Sequence, residues 1–398
     1  MSSAAAPAHP APVWLAERLR AAGGAVPFRT YMQWALHDPE HGAYGSGRLQ
    51  VGPRGDFATS PSLGPDFAAL LAPQIAQWLQ QQPADQPLAL VEAGPGEGDL
   101  ALQLAQELAA GWPELAARTD LLLIEPNAGM AERQRVRLSA SPLSCRWLSF
   151  EQLSASPVHG VLLAHEVLDA LAVERVQWDG ALWRRQQVAL HEVDQAQPSL
   201  RLEPGEALQP EELAQLEALG LLEPGLQRPA GWTTELHPEQ VPWLELAASS
   251  LSSGVLLVID YAHEAWRYYA PQRSNGTLMA YRQQQASNDD PLQDPGHWDL
   301  TAHLCLESLE RAAASAGWEF IGQRRQGEAL LALGLAQRLH GLQQQAGAGL
   351  DELLARREAL LRLVDPHTLG DFRWAAFHRS LAGRLACESL FLQDPPLG

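Results

Sequence analysis

From Leu88 onward, short continuous apolar runs alternate with longer segments in which apolar residues return every three or four positions. The runs LALVEAG (88–94), DLLLIEPN (120–127), SCRWLSF (144–150), GVLLAHEVLDAL (160–171) and GVLLVIDYA (254–262) read as strands. The fourth of these passes into a helix. DLALQLAQELAAGW (99–112) and NAGMAERQRVRLSA (127–140) read as the helices between them. Apolar runs on this rhythm belong to a parallel sheet covered on both faces, so the fold class expected is doubly wound α/β with a Rossmann-like core. Before it, Val13 to Ala22, Phe28 to Leu36 and Asp66 to Gln81 carry helical periodicity. After it come a strand, GWEFIGQR (317–324), two helices between Gly327 and Leu363, and the apolar DFRWAAFHRSLA (371–382).

The rhythm breaks where about 85 residues separate the fourth and fifth strands, far more than one crossover needs. That excess holds alternating RVQWDGALWRRQQVAL and helical PEELAQLEAL, and reads as an inserted subdomain for substrate recognition. The predicted organisation is a disordered tail at 1–12, a helical region at 13–85 and an insertion at 174–253. A core of 86–173 with 254–398 completes it. Inside the helical region, HGAYGSGRLQVGPRGDFATSPS (41–62) is long, rich in glycine and dotted with apolar residues, as an ordered functional loop would be.

Charge narrows the partners. There are 47 acidic against 28 basic residues, a formal net charge of −19, and every basic residue counted is arginine. Such a field opposes nucleic-acid backbones and favours cationic partners. Cys145, Cys305 and Cys387 are odd in number and widely spaced, which suits reduced thiols in the cytoplasm better than disulfides or a zinc site. The start, MSSAAAPAHPAPVWLAERL, has no basic residue before Arg18 and no apolar core of a leader, and no run of 18 apolar residues predicts a membrane span.

The chemistry concentrates at strand ends. Gly94, Gly96 and Gly98 close the first strand and open a helix, where backbone can approach a ligand closely. The last glycine falls two residues after the second, one short of the dinucleotide spacing, and Glu97 and Asp99 stand where they would repel a pyrophosphate. A ligand with a sulfonium or ammonium tolerates them. Glu125 ends the second strand, 27 residues beyond Gly98, where an acid can take both ribose hydroxyls. Alone it could equally be a solvated acid or a helix cap. As a set, with Glu92 in the first strand, these residues describe an S-adenosyl-L-methionine site better than an NAD site.

A second group follows the fourth strand: His165, Glu166 and Asp169. If a helix begins there, Glu166 and Asp169 share one face and can hold a cationic or amino acceptor; the plainer reading has Asp169 capping that helix. Asp260 and Tyr261 end the fifth strand at the same rim. His297 and His303 with nearby acids admit a metal, but a helix capped at Asp299 or Thr301 explains them more simply, and no metal is expected. Ser60 lacks the surroundings of a hydrolase nucleophile.

These residues resemble the MidA family of class I methyltransferases, nearly chain-long from Pro27 to Phe377. The matching blocks are YMQWALHDPEHGAYG, GPRGDFATSPSLGPDF, VEAGPGEGDLA, HEVLDALAVERV, IDYA, GTLMAY, DPGHWDLTAH, QGEALLALGL and HTLGDFRWAAF. The resemblance implies S-adenosyl-L-methionine as cofactor, bound by Gly94, Gly96, Gly98 and Glu125; Glu92 and His165 are expected to join them. It implies an acid pair, Glu166 and Asp169, at the acceptor, with Asp56 and Phe57 lining the cleft, at whose rim Asp260 and Tyr261 are expected from their strand. It further implies symmetric dimethylation of an arginine on a partner protein such as a subunit of respiratory complex I, and admits a homodimer. His165 stands where the family has asparagine, and Ala172 where it has proline. Competing expectations are a methyltransferase of small molecules or other protein sites, an assembly protein that keeps the fold only for binding, and an NAD oxidoreductase.

Overall fold

The computed structural model describes residues 9–49, 59–192, 197–223, 228–282, 285–287, 290–344, 349–380 and 389–396. Asp56, Phe57 and Cys387 lie outside them. By packing the chain forms two compact units: 1–50, 169–240 and 263–309 make one, while 51–168, 241–262 and 310–398 make the other.

The second unit is built on a seven-stranded sheet: β1 (Leu88–Ala93), β2 (Thr119–Ile124), β3 (Cys145–Trp147), β4 (Val158–His165), β5 (Leu251–Asp260), β6 (Glu319–Arg325) and β7 (Arg373–Arg379). The spatial order is β6-β7-β5-β4-β1-β2-β3. The strands from β3 to β5 run parallel, and β7 runs antiparallel between β5 and β6. This is the doubly wound arrangement that the apolar runs predict. Burial explains them: Leu90, Val161, Leu163, Val255 and Leu257 are all at most 1% exposed, each contributing about 1.5–3 kcal/mol to the core. Helices Asp66–Gln80 and Asp99–Gly111 bury Phe67, Leu71, Ile75, Leu104 and Leu108 in the same cluster.

Strand order reverses between β1 and β4, so the loops leaving their carboxyl ends part company there and open a crevice. Deep in the sheet the same strands approach through small residues, with Ala89 on β1 beside Gly160 on β4, and Gly160 beside Gly254 on β5. A Cβ on Gly160 would sit 1.8 Å from the Ala89 carbonyl oxygen, and one on Gly254 2.1 Å from that of Gly160.

The first unit carries an antiparallel sheet made of Glu174–Trp178, Trp183–His191, Ser199–Ala207 and Thr233–Leu236, extended by the short strands His9–Pro10 and Ala25–Pro27. Helices Val13–Ala21 and Phe28–His37 bury Leu15, Leu19, Phe28, Tyr31 and Leu36 with Val188 and Leu200 of that sheet. His9 and Pro10 pair with Leu200 and Ser199, so this part of the expected disordered tail is ordered. The boundaries drawn by packing also differ from those read along the chain. Residues 9–49 and 263–309 pack with the insertion, whereas helix Asp66–Gln80 packs with the parallel sheet. Periodicity shows that a helix has an apolar face but not which face it meets. Among the described residues no helix is long and apolar enough to cross a membrane.

Substituting Gly160→Ala forces β1 and β4 apart and is expected to cost at least about 3 kcal/mol. Denaturant titration checks this; a change under about 1 kcal/mol would show that the sheet gives way easily at this point.

Candidate active site

The glycine turn is fixed by main-chain geometry. Gly94, Gly96 and Gly98 have φ of 60°, 54° and 84°, left-handed values that favour glycine. A Cβ on Gly94 would also lie 2.9 Å from Val167 Cγ2, on the loop after β4, so space and conformation both demand glycine there. Gly98 is the N-cap of helix Asp99–Gly111.

The acids of this turn do not stand as bare charges. Glu97 accepts two bonds from Arg133, at 3.1 and 3.0 Å, and Asp99 pairs with Arg137. Both arginines come from helix Ala128–Arg137, one turn apart. Glu97 and Asp99 therefore repel a pyrophosphate less than their linear spacing implies, because each is matched by a cation that the spacing does not reveal.

Glu125, at the end of β2, is held from two sides. Its Oε1 accepts the Asn127 N–H at 2.8 Å and its Oε2 accepts from Gln134 Nε2 at 3.0 Å. Burial raises its pKa against the opposing effect of these bonds. Each oxygen keeps a second lone pair, enough for two vicinal hydroxyls. Glu92 lies within β1, 3% exposed, and its Oε2 has no hydrogen-bond partner among the described residues. Burial, and to a lesser degree Asp99, push its pKa up to about 8, so at neutral pH the carboxyl is mostly protonated.

After β4 the expected helix does not form. Residues 166–173 make bends and turns, so the shared helical face of Glu166 and Asp169, and the helix cap at Asp169, are replaced by a tight loop. The Glu166 N–H continues the ladder to the Ile259 carbonyl at 2.9 Å, and Glu166 then turns the chain with φ 54°. For a residue other than glycine this is a strained conformation, of the kind that persists only where surrounding structure enforces it. Asp260 supplies that enforcement: its Oδ2 accepts the Leu168 N–H at 3.0 Å while its Oδ1 accepts the Tyr261 N–H at 2.8 Å. Asp260 is 1% exposed and acts as a clamp on this loop. Tyr261 packs on Phe372, ring centroids 4.0 Å apart. His165 is buried between Phe67 and Phe372, and burial lowers its pKa to about 3, leaving a neutral imidazole whose Nδ1 lies 3.4 Å from Glu166 Oε1. Asp169 opens the next segment of the other unit; its carbonyl accepts the Ala302 N–H at 2.9 Å, and burial pushes its carboxyl up to about 7.

Thus Gly94, Gly96, Gly98, Glu92, Glu125, His165 and Glu166 gather at the carboxyl ends of β1, β2 and β4. The residue that linear reading passes over is Gln134, wholly buried yet on a helix whose surroundings are polar. Asp299 and Thr301 lie in a strand, Asp299–Thr301, and the following helix starts only at Leu306, which corrects the cap expected there. His297 is engaged by Arg48 at 3.2 Å and Asp294 at 3.4 Å. His303 packs against His263 in a tilted arrangement, centroids 4.7 Å apart. Ser60 is buried against Gln326.

A family model of S-adenosyl-L-methionine-dependent methyltransferases matches residues 70–324, about two thirds of the chain. The chain belongs to this MidA-type methyltransferase family. Its relatives include the mitochondrial protein arginine methyltransferase NDUFAF7 homolog of Drosophila melanogaster, 27% identical over 371 residues, 85% of this chain and 81% of that protein. The mouse protein arginine methyltransferase NDUFAF7 is 27% identical over 404 residues, 92% and 85% of the two chains. Among solved structures, a Burkholderia thailandensis protein bound to S-adenosylhomocysteine superposes with a TM-score of 0.82 at 29% identity, covering 96% of this chain and 94% of that one. A native structure from the same organism gives 0.79 at 28%.

The cofactor of this methyltransferase is S-adenosyl-L-methionine. The residues at the crevice fit it: a glycine cradle that a Cβ would fill, a carboxylate with two free lone pairs for a ribose, and an unpartnered buried carboxyl oxygen at Glu92.

Glu92 titrates with a consequence for stability. A carboxyl whose folded pKa is raised stabilises fully below its unfolded pKa of 4.5, and that contribution is lost as pH rises towards about 8. The stability of Glu92→Gln relative to the parent protein is therefore expected to increase steadily between pH 5 and 8. Thermal unfolding across that range checks it, and a constant difference would mean that Glu92 is already ionised in the fold.

Proposed function

We propose that this methyltransferase transfers the methyl group to a guanidinium nitrogen of an arginine on a partner protein. The relatives named protein arginine methyltransferases support the acceptor class. The resemblance of the motifs extends the proposal to symmetric dimethylation and to a subunit of respiratory complex I as partner. The net charge of −19 favours a cationic acceptor.

The observation that carries the reading is Glu166, a non-glycine residue held at φ 54° at the carboxyl end of β4 and pinned through the ladder to Ile259 and the Asp260 clamp. Strain maintained by a buried carboxylate clamp is a feature of functional loops. S-adenosyl-L-methionine supplies a methyl group made electrophilic by its sulfonium. The protein's task is to supply a nitrogen lone pair, which arginine lacks in its protonated, delocalised form. A carboxylate that takes N–H bonds from one edge of the guanidinium draws the positive charge there and localises a lone pair on the opposite nitrogen. Glu166 is that carboxylate. As the N–CH3 bond forms on the far nitrogen the S–CH3 bond breaks, the cofactor leaves as neutral S-adenosylhomocysteine, and the surplus proton of the methylated nitrogen passes to solvent. Asp169 is the second acid of the loop. Alignment of the nitrogen with the methyl group provides much of the rate.

His165 bears on this directly. Because burial holds the imidazole neutral, it adds no positive charge beside Glu166, just as an asparagine would add none. The exchange of asparagine for histidine is thus electrostatically silent at neutral pH.

Labelled cofactor and mass spectrometry of the modified partner test the acceptor: label on arginine is expected, and label only on other residues or on small molecules would refute the assignment. Glu166→Gln is expected to lower turnover at least about 100-fold while S-adenosylhomocysteine affinity stays within about threefold. Unchanged turnover would remove Glu166 from the mechanism. His165→Asn is expected to keep turnover within about threefold between pH 6 and 8, because neither side chain carries charge there; a large loss would mean that the imidazole itself does chemistry.

A further inference from the structure

We propose that Gln134 is a positioning residue of the cofactor site, coupling the glycine turn to the acid that takes the ribose. Its side chain is 0% exposed. Nε2 donates to the Gly96 carbonyl at 2.8 Å and to Glu125 Oε2 at 3.0 Å, while Oε1 accepts from Trp147 Nε1 at 2.9 Å. A primary amide has two donor hydrogens and a carbonyl acceptor, and here each is used. Gln134 Cγ also lies 3.7 Å from where a Cβ of Gly98 would be, so the same side chain borders the space beside the third glycine.

The chemistry at this position is narrowly set. A carboxylate could not donate to Gly96 and Glu125, and an aliphatic side chain would leave a carbonyl, a carboxylate oxygen and an indole N–H without partners in a buried site. With Asn127 N–H on Oε1 and Gln134 on Oε2, the Glu125 carboxylate is fixed in one plane before any ligand arrives. Gly96, which sets the middle of the turn, is tied to that plane through one amide group. Two parts of the cofactor, its ribose and the part that meets the turn, are therefore received by a single prearranged frame, which removes ordering cost from binding. Trp147 extends the frame to β3, and Arg135 covers its ring at 5.0 Å.

The proposal rests on Glu125 receiving the ribose hydroxyls, and the experiment separates the two. Calorimetry of the full chain would use S-adenosylhomocysteine and its analogue lacking both ribose hydroxyls, with Gln134→Leu, Gln134→Glu and Glu125→Ala. Gln134→Leu is expected to weaken S-adenosylhomocysteine at least tenfold and the dideoxy analogue, which still meets the turn, by a factor at least threefold smaller. A core glutamine with only a structural role would weaken both equally or neither, and either result overturns the proposal. Gln134→Glu keeps the shape and sets a second carboxylate against Glu125. Its affinity for S-adenosylhomocysteine is expected to be more than tenfold below the parent's at pH 8 and to recover towards it at pH 6, as the pair comes to share a proton. A flat pH profile contradicts the coupling. If Glu125→Ala fails to erase the preference for the hydroxylated ligand, the ribose assignment itself fails. If it erases the preference and Gln134→Leu does not, only the role of Gln134 falls.

Discussion

The parallel pairing of Leu88–Ala93 with Val158–His165 is the constraint on which the site depends. It sits where strand order reverses, so two chains that run side by side through the core must leave it in different directions. Both do so through left-handed backbone: at Gly94 on one side, and at Glu166 on the other, where the conformation is costly for the residue present. The pairing itself is possible only because Gly160 has no side chain facing the Ala89 carbonyl. The tight sheet and the strained loop are therefore linked. The Asp260 clamp and the ladder bond from Glu166 to Ile259 act on the loop from the next strand over, where the same close packing continues through Gly254.

Electrostatics in this unit follow from burial more than from net charge. Although the chain carries a formal charge of −19, the acids at the glycine turn are matched by Arg133 and Arg137, and Glu92 is mostly neutral near pH 7. His165 is neutral as well. The geometry of the Glu125 carboxylate, proposed above to take the ribose, is set by hydrogen bonds from Gln134 and Asn127. Partly exposed pairs such as Arg133 with Glu97 contribute at most about 1 kcal/mol to stability, and their main effect here is to quiet the charge beside the turn.

Much of the core was legible because buried parallel strands write themselves as unbroken apolar runs: LALVEA, LLLI, VLLAH and GVLLVID all became strands at the places their patterns marked. The glycine turn was legible because few sequences need three glycines in five residues. What stayed hidden depends on partners far along the chain. Periodicity after His165 suggested a helix, but the ladder to Ile259 and the Asp260 clamp, some 90 residues away, override that local preference. Glu97 and Asp99 looked like bare carboxylates because their arginines lie 36 and 38 residues downstream. Gln134 carries no mark in the linear sequence beyond its place on a helix. Its weight comes from a tryptophan, a carbonyl and a carboxylate that only folding brings to it.

A crystal structure of this protein with S-adenosylhomocysteine tests the account most directly. It predicts ribose hydroxyls on Glu125, the amino-acid end of the ligand against Gly94–Gly98, and the Glu166 carboxylate facing the sulfur across open space wide enough for a guanidinium. A ligand whose ribose avoids Glu125, or a Glu166 side chain turned away from the sulfur, would contradict it.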